Sequence, residues 1–247
     1  VITGFHRITL AARDPAAGAQ AFADFLGRPF EPSHDGVESL TLANLQLQLR
    51  RKDPEEAEGI ARITFAVDDL GEARRMLERR GAPTRMDGEV AVLEAAASHG
   101  VELALAEADG DAGPRAQADA IEGLDHVVIR TPDADRAIAL YGARMGLDFR
   151  LDRSNPAWGS RLLFFRCGDA VVEFSVEADP ASPAGPDKAG GLAWRARDPA
   201  AVHARVSAQG LDVSALRSGR KPGTHVFTLR SGVVAAPALI IGSEARE

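Results

Sequence analysis

A single cysteine, Cys167, stands in 247 residues. No intrachain disulfide can form, and the cysteine-rich zinc frameworks are excluded. Cys167 lies in the apolar run LLFFRCG and reads as a buried small hydrophobe, not as a reactive thiol. No apolar run approaches the ~20 residues that cross a bilayer, which argues against a membrane partner. The opening VITGFHRITL lacks the basic-then-apolar layout of a secretory signal, so a cytoplasmic protein is expected. Basic residues form no block: 29 Lys and Arg are spread against 36 Asp and Glu, for a net charge of −7, which argues against a nucleic-acid partner. Neither a Gly-rich phosphate loop nor a Ser-His-Asp arrangement is found.

What the chain does have is self-similarity, the feature that most constrains a fold. Four segments share a short alternating apolar strand, an Asp, a helical stretch and a Gly: HRITLAARDPAAGAQAFADFLG, RITFAVDDLGEARRMLERRG, HVVIRTPDADRAIALYGARMG and GLAWRARDPAAVHARVSAQG. The Asp residues are Asp14, Asp69, Asp133 and Asp198, and the closing glycines are Gly27, Gly81, Gly146 and Gly210, giving spacings of 13, 12, 13 and 12. Odd copies match odd and even match even, the mark of a duplicated pair.

Each position has a physical reason. An Asp before an apolar-periodic stretch caps a helix by accepting the orphan N–H groups of its first turn. Pro15 and Pro199 follow at the first helical position, where a missing N–H costs nothing. The glycine stops the helix in the left-handed conformation that other residues resist. Between these signals Phe22, Phe25 and Leu26 in the first copy, and Ile138, Tyr141 and Met145 in the third, recur at helical spacing.

Short alternating strands follow each helix: LDFRLDR, SRLLFFRCG and AVVEFSVEA in the third copy, VESLTLAN and LQLQLRR in the first. The polar stretch EADGDAGPRAQADA has neither period and reads as a linker. The expected organisation is α+β: four βαβββ modules paired into two cupped half-barrel domains with helices outside, over residues 1–108 and 121–247, joined by 109–120.

The stretch GLDHVVIRTPDADRAIALYGARMGLDF resembles the opening of a vicinal oxygen chelate module, the superfamily of glyoxalases, extradiol dioxygenases and bleomycin-resistance proteins. The resemblance covers nearly the whole chain. It implies two ligand positions per module, one on the first strand, usually His, and one on the last, usually Glu. Seven residues before each Asp these positions fall on Arg7, Arg62, His126 and Gly191, and on the last strands on Gln48, Glu102 and Glu173. The C-terminal half thus offers His126 and Glu173 as metal ligands and catalytic groups. The N-terminal half, with Arg7 and Arg62 where a cation would sit, is expected to hold an ion-pair and hydrogen-bond network with Glu102 and Gln48, the alternative being an anion site for a ligand carboxylate or phosphate. His6, one residue out of step, is expected to point away, and His34 and His99 to be solvated loop residues.

Three readings of the C-terminal pair stay open at this stage, the plainest being a satisfied buried pair left from an ancestral metal site. An imidazole and a carboxylate suit a divalent ion, Fe, Mn, Zn or Ni, that binds vicinal substrate oxygens as a Lewis acid. The same pair without metal is a dyad able to take a proton beside a carbonyl, or to fix a ligand. Arg130 and Arg195 share the strand face of His126 and would neutralise an acidic substrate. Trp158 would cover the mouth of the cup, and His225 would replace the ligand missing at Gly191 if it faces inward. Trp194 should pack under a helix. The expectation is a small-molecule ligand handled by isomerase or lyase chemistry ahead of ring cleavage, with non-catalytic drug binding as the alternative and a homodimer as a further expectation.

Overall fold

The computed structural model describes residues 1–31, 35–108, 110, 113, 116–155, 160–177, 185–233 and 236–243. Strands β1 (Ile2–Ala12), β2 (Glu38–Thr41) and β3 (Gln46–Arg51) belong to the first copy, with helix α1 (Pro15–Leu26). The second holds β4 (Gly59–Val67), α2 (Leu70–Arg79), β5 (Thr84–Asp87), β6 (Val90–Leu93), the single turn α3 (Ala95–Ser98) and β7 (Leu103–Glu107). The third runs through β8 (Ile121–Thr131), α4 (Ala134–Ala137), a π-helical stretch Ile138–Arg144, β9 (Asp148–Asn155), β10 (Ser160–Cys167) and β11 (Ala170–Val176). The fourth comprises β12 (Lys188–Ala196), α5 (Pro199–Ala208), β13 (Arg217–Ser218), β14 (Thr224–Val233) and β15 (Ala236–Ser243).

The strands form two sheets, ordered β2-β3-β1-β4-β7-β6-β5 and β13-β14-β15-β12-β8-β11-β10-β9. The α+β class with curved sheets is as the repeat implied. In three copies the last strand lies parallel to the first, β7 on β4, β11 on β8 and β15 on β12. The remaining strands run out antiparallel from there. In the first copy, the strand expected after the helix is reduced to one bridge, Glu31 to Ser39.

All four capping predictions hold. Asp14 accepts from Ala17 N, Asp69 from Glu72 N, Asp133 from Arg136 N, and Asp198 from both Ala200 N and Ala201 N. The four closing glycines take φ of 71, 71, 80 and 80° in chain order, the left-handed region that a Cβ disfavours. The third helix departs from regular geometry after its first turn: Met145 N bonds Leu140 O, five residues back. Leu140 and Tyr141, consecutive in sequence, are both buried there.

The chain divides into two compact units. One takes 1–7, 61–110 and 126–190, and so combines the second and third copies. Its aromatic core stands on the helix side of β10 and β11, where the Tyr141 ring meets Phe174 edge-on at 4.7 Å and Phe165 lies 5.7 Å from Phe174. Arg80, at the C-terminus of α2, donates to the carbonyls of Ala143 and Arg144 at the end of the π-helical stretch, and Arg144 donates back to Gly81 O. The orphan carbonyls of one helix are thus capped by an arginine of the other.

The other unit takes 8–60, 111–125 and 191–247, from the first and fourth copies and the stretch before β8. Here Arg205 of α5 donates to the carbonyls of Asp24 and Phe25 at the end of α1 and to Asp119 O, at 2.5, 2.8 and 2.7 Å. Burial lowers the pKa of its guanidinium. Trp194 is fully buried and packs as expected under a helix, edge-on to Phe22 of α1 at 6.5 Å. Gly113 N bonds Leu42 O, and Asn44 holds both Leu124 N and Leu124 O through its side-chain amide.

Candidate functional site

Along β8 side chains alternate, with Val127, Ile129 and Thr131 buried on the helix side and His126, Val128 and Arg130 on the opposite face. Along β11, Val172 and Phe174 are buried, while Val171, Glu173 and Ser175 share the face of His126. The parallel register sets Val171 beside His126 and Glu173 beside Val128, so the two candidate groups are diagonal neighbours. Their side chains converge: His126 Nε2 lies 3.6 Å from Glu173 Oε2, with 15% and 18% of the side chains exposed. The strand count that selected this pair from the sequence places both on one helix-free face.

Two donors do not complete a metal site. Resident ions are normally held by three or more protein ligands, and the described residues contain no group of three His, Cys, Asp or Glu able to hold one. Gly191, expected from the resemblance as a further ligand position, belongs to the other unit and has no donor side chain. Gly191 has φ of +154°, and a Cβ there would stand 2.7 Å from the carbonyl oxygen of Pro237. On the donors described, the pair does not fit a resident metal.

The remaining expected residues separate. Arg130 keeps the face of His126 and is exposed. Arg195 donates to Leu124 O at 3.2 Å and lies 4.0 Å from Asp125. His225 shares its strand face with Phe227, whose ring meets His203 of α5 at 5.0 Å, so alternation turns His225 toward the helix side, not to the place left by Gly191. Trp158 and His34 lie outside the described residues. The segment RSGRKPGTH closes the β13–β14 hairpin, with Gly219 N on Thr224 O at 2.7 Å.

The corresponding place in the second copy is filled by a salt-bridge network around Arg62, one of the two arginines expected to form it. Arg62 donates to Glu102 at 2.5 Å and to Asp87 at 2.8 Å, and the hydrogen bond from Arg62 holds the Asp87 carboxyl below its ordinary range. Asp87, on β5, was not visible as a partner in the sequence because strand pairing brings it there. Beside this network Thr64, Ala104, Ala106, Val90 and Val92 are buried. Gln48 hydrogen-bonds Gln46 at 2.8 Å. Sequence reasoning also missed Phe164 and Leu151, which the antiparallel register places in line with Glu173 on its face.

Residues 125–228 match the model of the Glyoxalase/Bleomycin resistance protein/Dioxygenase superfamily. No curated protein matches the chain. Among solved structures, the Mn(II)-bound glyoxalase from Novosphingobium aromaticivorans is 14% identical, with a TM-score of 0.76 over 98% of this chain and 82% of that one. A mutant of 4-hydroxymandelate synthase from Streptomyces coelicolor is 14% identical, with a TM-score of 0.73 over 100% and 94%. The 2,2',3-trihydroxybiphenyl 1,2-dioxygenase from Sphingomonas wittichii is 17% identical, with a TM-score of 0.74 over 98% and 91%. At these identities the likeness is one of fold, and it extends over both halves. Residues from β8 to β14 thus carry the family match, and the chain as a whole shares its fold with proteins of the vicinal oxygen chelate superfamily. No helix among the described residues is long and apolar enough to cross a membrane.

Proposed function

We propose that the chain binds a small oxygen-rich molecule on the helix-free face of β8 and β11, and that His126 and Glu173 act on it as a dyad. The observation that carries this reading is the convergence of the two partly buried side chains to 3.6 Å. A carboxylate is costly to hold away from water beside an imidazole unless it is used or satisfied. In the proposed step Glu173 accepts the proton from a carbon beside a carbonyl. The electron pair passes to the carbonyl oxygen, and His126 Nε2–H donates a hydrogen bond to the developing enediolate. Return of a proton to the former carbonyl carbon, as the substrate's hydroxyl proton passes to the first oxygen, completes an isomerisation, and loss of a leaving group completes a lyase reaction.

Deuterium uptake from D2O into α-hydroxy aldehydes and ketones, followed by NMR, tests the step. Glu173→Gln should abolish uptake and His126→Ala should slow it by about 10²- to 10⁴-fold. Uptake unchanged in both variants would remove the dyad from the reaction. Metal content of protein purified without chelator is measured in parallel. A stoichiometric ion lost in His126→Ala would replace the dyad by a Lewis acid held on the same two residues.

Binding without turnover is the second reading, and the closed backbone at Gly191 favours it. It predicts ligand affinity that falls in both variants and no deuterium uptake in the wild type.

A further inference from the structure

Around the dyad the same face has a graded character. One row crosses the strands as Val128, Glu173, Phe164 and Leu151, each opposite the next. Phe164 is half-buried and Leu151 is 46% exposed, so apolar surface stays open to solvent directly in line with a carboxylate. Phe149, on the other face of β9, instead stacks on Phe165 at 4.9 Å. Phe149 is itself 39% exposed, so open apolar surface lies on both faces of β9, and Leu151 is the part in line with Glu173.

One alternation step beyond Val128, roughly 7 Å along β8, stands Arg130. Among the described residues its guanidinium makes no ion pair or hydrogen bond. Arg50, Arg62, Arg136 and Arg161 by contrast each hold a carboxylate. Gly190 lies over this stretch of β8: a Cβ there would come to 3.4 Å from Arg130 Cγ and 3.2 Å from Val128 Cγ1. The missing side chain leaves room for the Arg130 stem to lie along the face. Glu173 by itself would repel an anionic ligand, and Arg130 supplies the offsetting charge one row away.

We infer that the ligand is an organic anion with an aromatic or branched apolar body. Its carboxylate pairs with Arg130, its oxygens meet His126 and Glu173, and its body covers Phe164 and Leu151. This class rests on the dyad being the ligand site. Small neutral sugars and trioses lack both the charge and the apolar area, so they are the poorer fit.

The test is titration calorimetry with 3-phenyllactate, its methyl ester and lactate, which separate the charge from the apolar body. Phenyllactate should bind at least about 10-fold more tightly than either of the others, the scale of one charge-assisted contact or one buried ring. Arg130→Gln should bring acid and ester to equal affinity, and Phe164→Ala should lower the affinity of both while leaving lactate unchanged. An acid-to-ester ratio untouched by Arg130→Gln, or no binding of phenyllactate, overturns the assignment. Loss of phenyllactate affinity in His126→Ala with no effect of Arg130→Gln would defeat the anion class and keep the dyad. Affinity unchanged in His126→Ala and Glu173→Gln, with Arg130→Gln effective, would defeat the dyad as the ligand site.

Discussion

Arg136 Nη2 donates to Asp187 Oδ1 at 2.5 Å, while Asp187 Oδ2 is buried without a hydrogen-bond partner among the described residues. Arg136 also donates to Gly185 O, and Asp187 N to His99 O, so the chain ahead of β12 is tied to α4 and to the turn after α3. Arg136→Met would leave an uncompensated carboxylate with 1% of its side chain exposed. The expected loss is about 3–5 kcal/mol, read from urea denaturation midpoints, with Asp187→Asn the milder change. Equal losses in the two variants would mean that the buried charge is not what makes the pair matter.

His99 sits in that same junction and is the one non-glycine residue with positive φ, 57°, among the described residues. It is half-buried there, not the solvated loop histidine expected from sequence. Burial, then the nearby Arg136 charge, lowers its pKa. The folded state therefore binds this proton less tightly than the unfolded chain. Its contribution is intact above the ordinary histidine range and is lost as pH falls through the lowered folded-state value. Asn tolerates the left-handed region and does not titrate. His99→Asn should match the wild type at pH 8 and exceed it in melting temperature by a margin that grows toward pH 5. A margin constant with pH would assign the effect to backbone conformation alone.

The resemblance in sequence sets Gly191 at the position of a further ligand, yet a histidine placed there is not expected to hold a metal. A side chain would meet Pro237 O and adopt a φ that costs about 1–3 kcal/mol. Gly191→His and Gly191→Ala are both expected to lower the melting temperature, and neither to bind Mn(II) or Zn(II) more tightly than the wild type by calorimetry. Tight metal binding by the histidine variant would show that the backbone yields at this position.

Cys167 is 1% exposed, and burial pushes its thiol pKa well up, so the native protein should not react with a thiol-directed disulfide reagent at pH 8. One equivalent should react once the chain is unfolded in guanidinium. Rapid labelling of native protein would require opening of β10 and β11.

Much of the architecture was legible because each repeat carries local signals that need no partner: Asp198 caps with its own side chain, and Gly210 stops the same helix with its own backbone. The site was legible as far as strand parity reaches, which is His126, Arg130 and Glu173. Parity from the helix signals could not place His225, because its face is set by packing of Phe227 on His203. Nor could it find Asp87 beside Arg62, or Phe164 and Leu151 beside Glu173, since antiparallel register brings these together from separate strands. The π-helical turn after Ala137 has no marker in its sequence that we can identify.

The arginine that seals the end of α1 arrives late. Arg205 caps the Phe25 carbonyl across 180 residues of chain, and Trp194 closes on Phe22 from nearly as far. At synthesis rates of roughly 5–20 residues per second, α1 leaves the ribosome on the order of ten seconds or more before its cap exists. A chain stalled after residue 190 should be cleaved readily by protease within residues 8–60, and protection there would show that the first copy holds together alone. During that interval Phe22 and the end of α1 stay uncovered, and the fourth copy is the one that retires them.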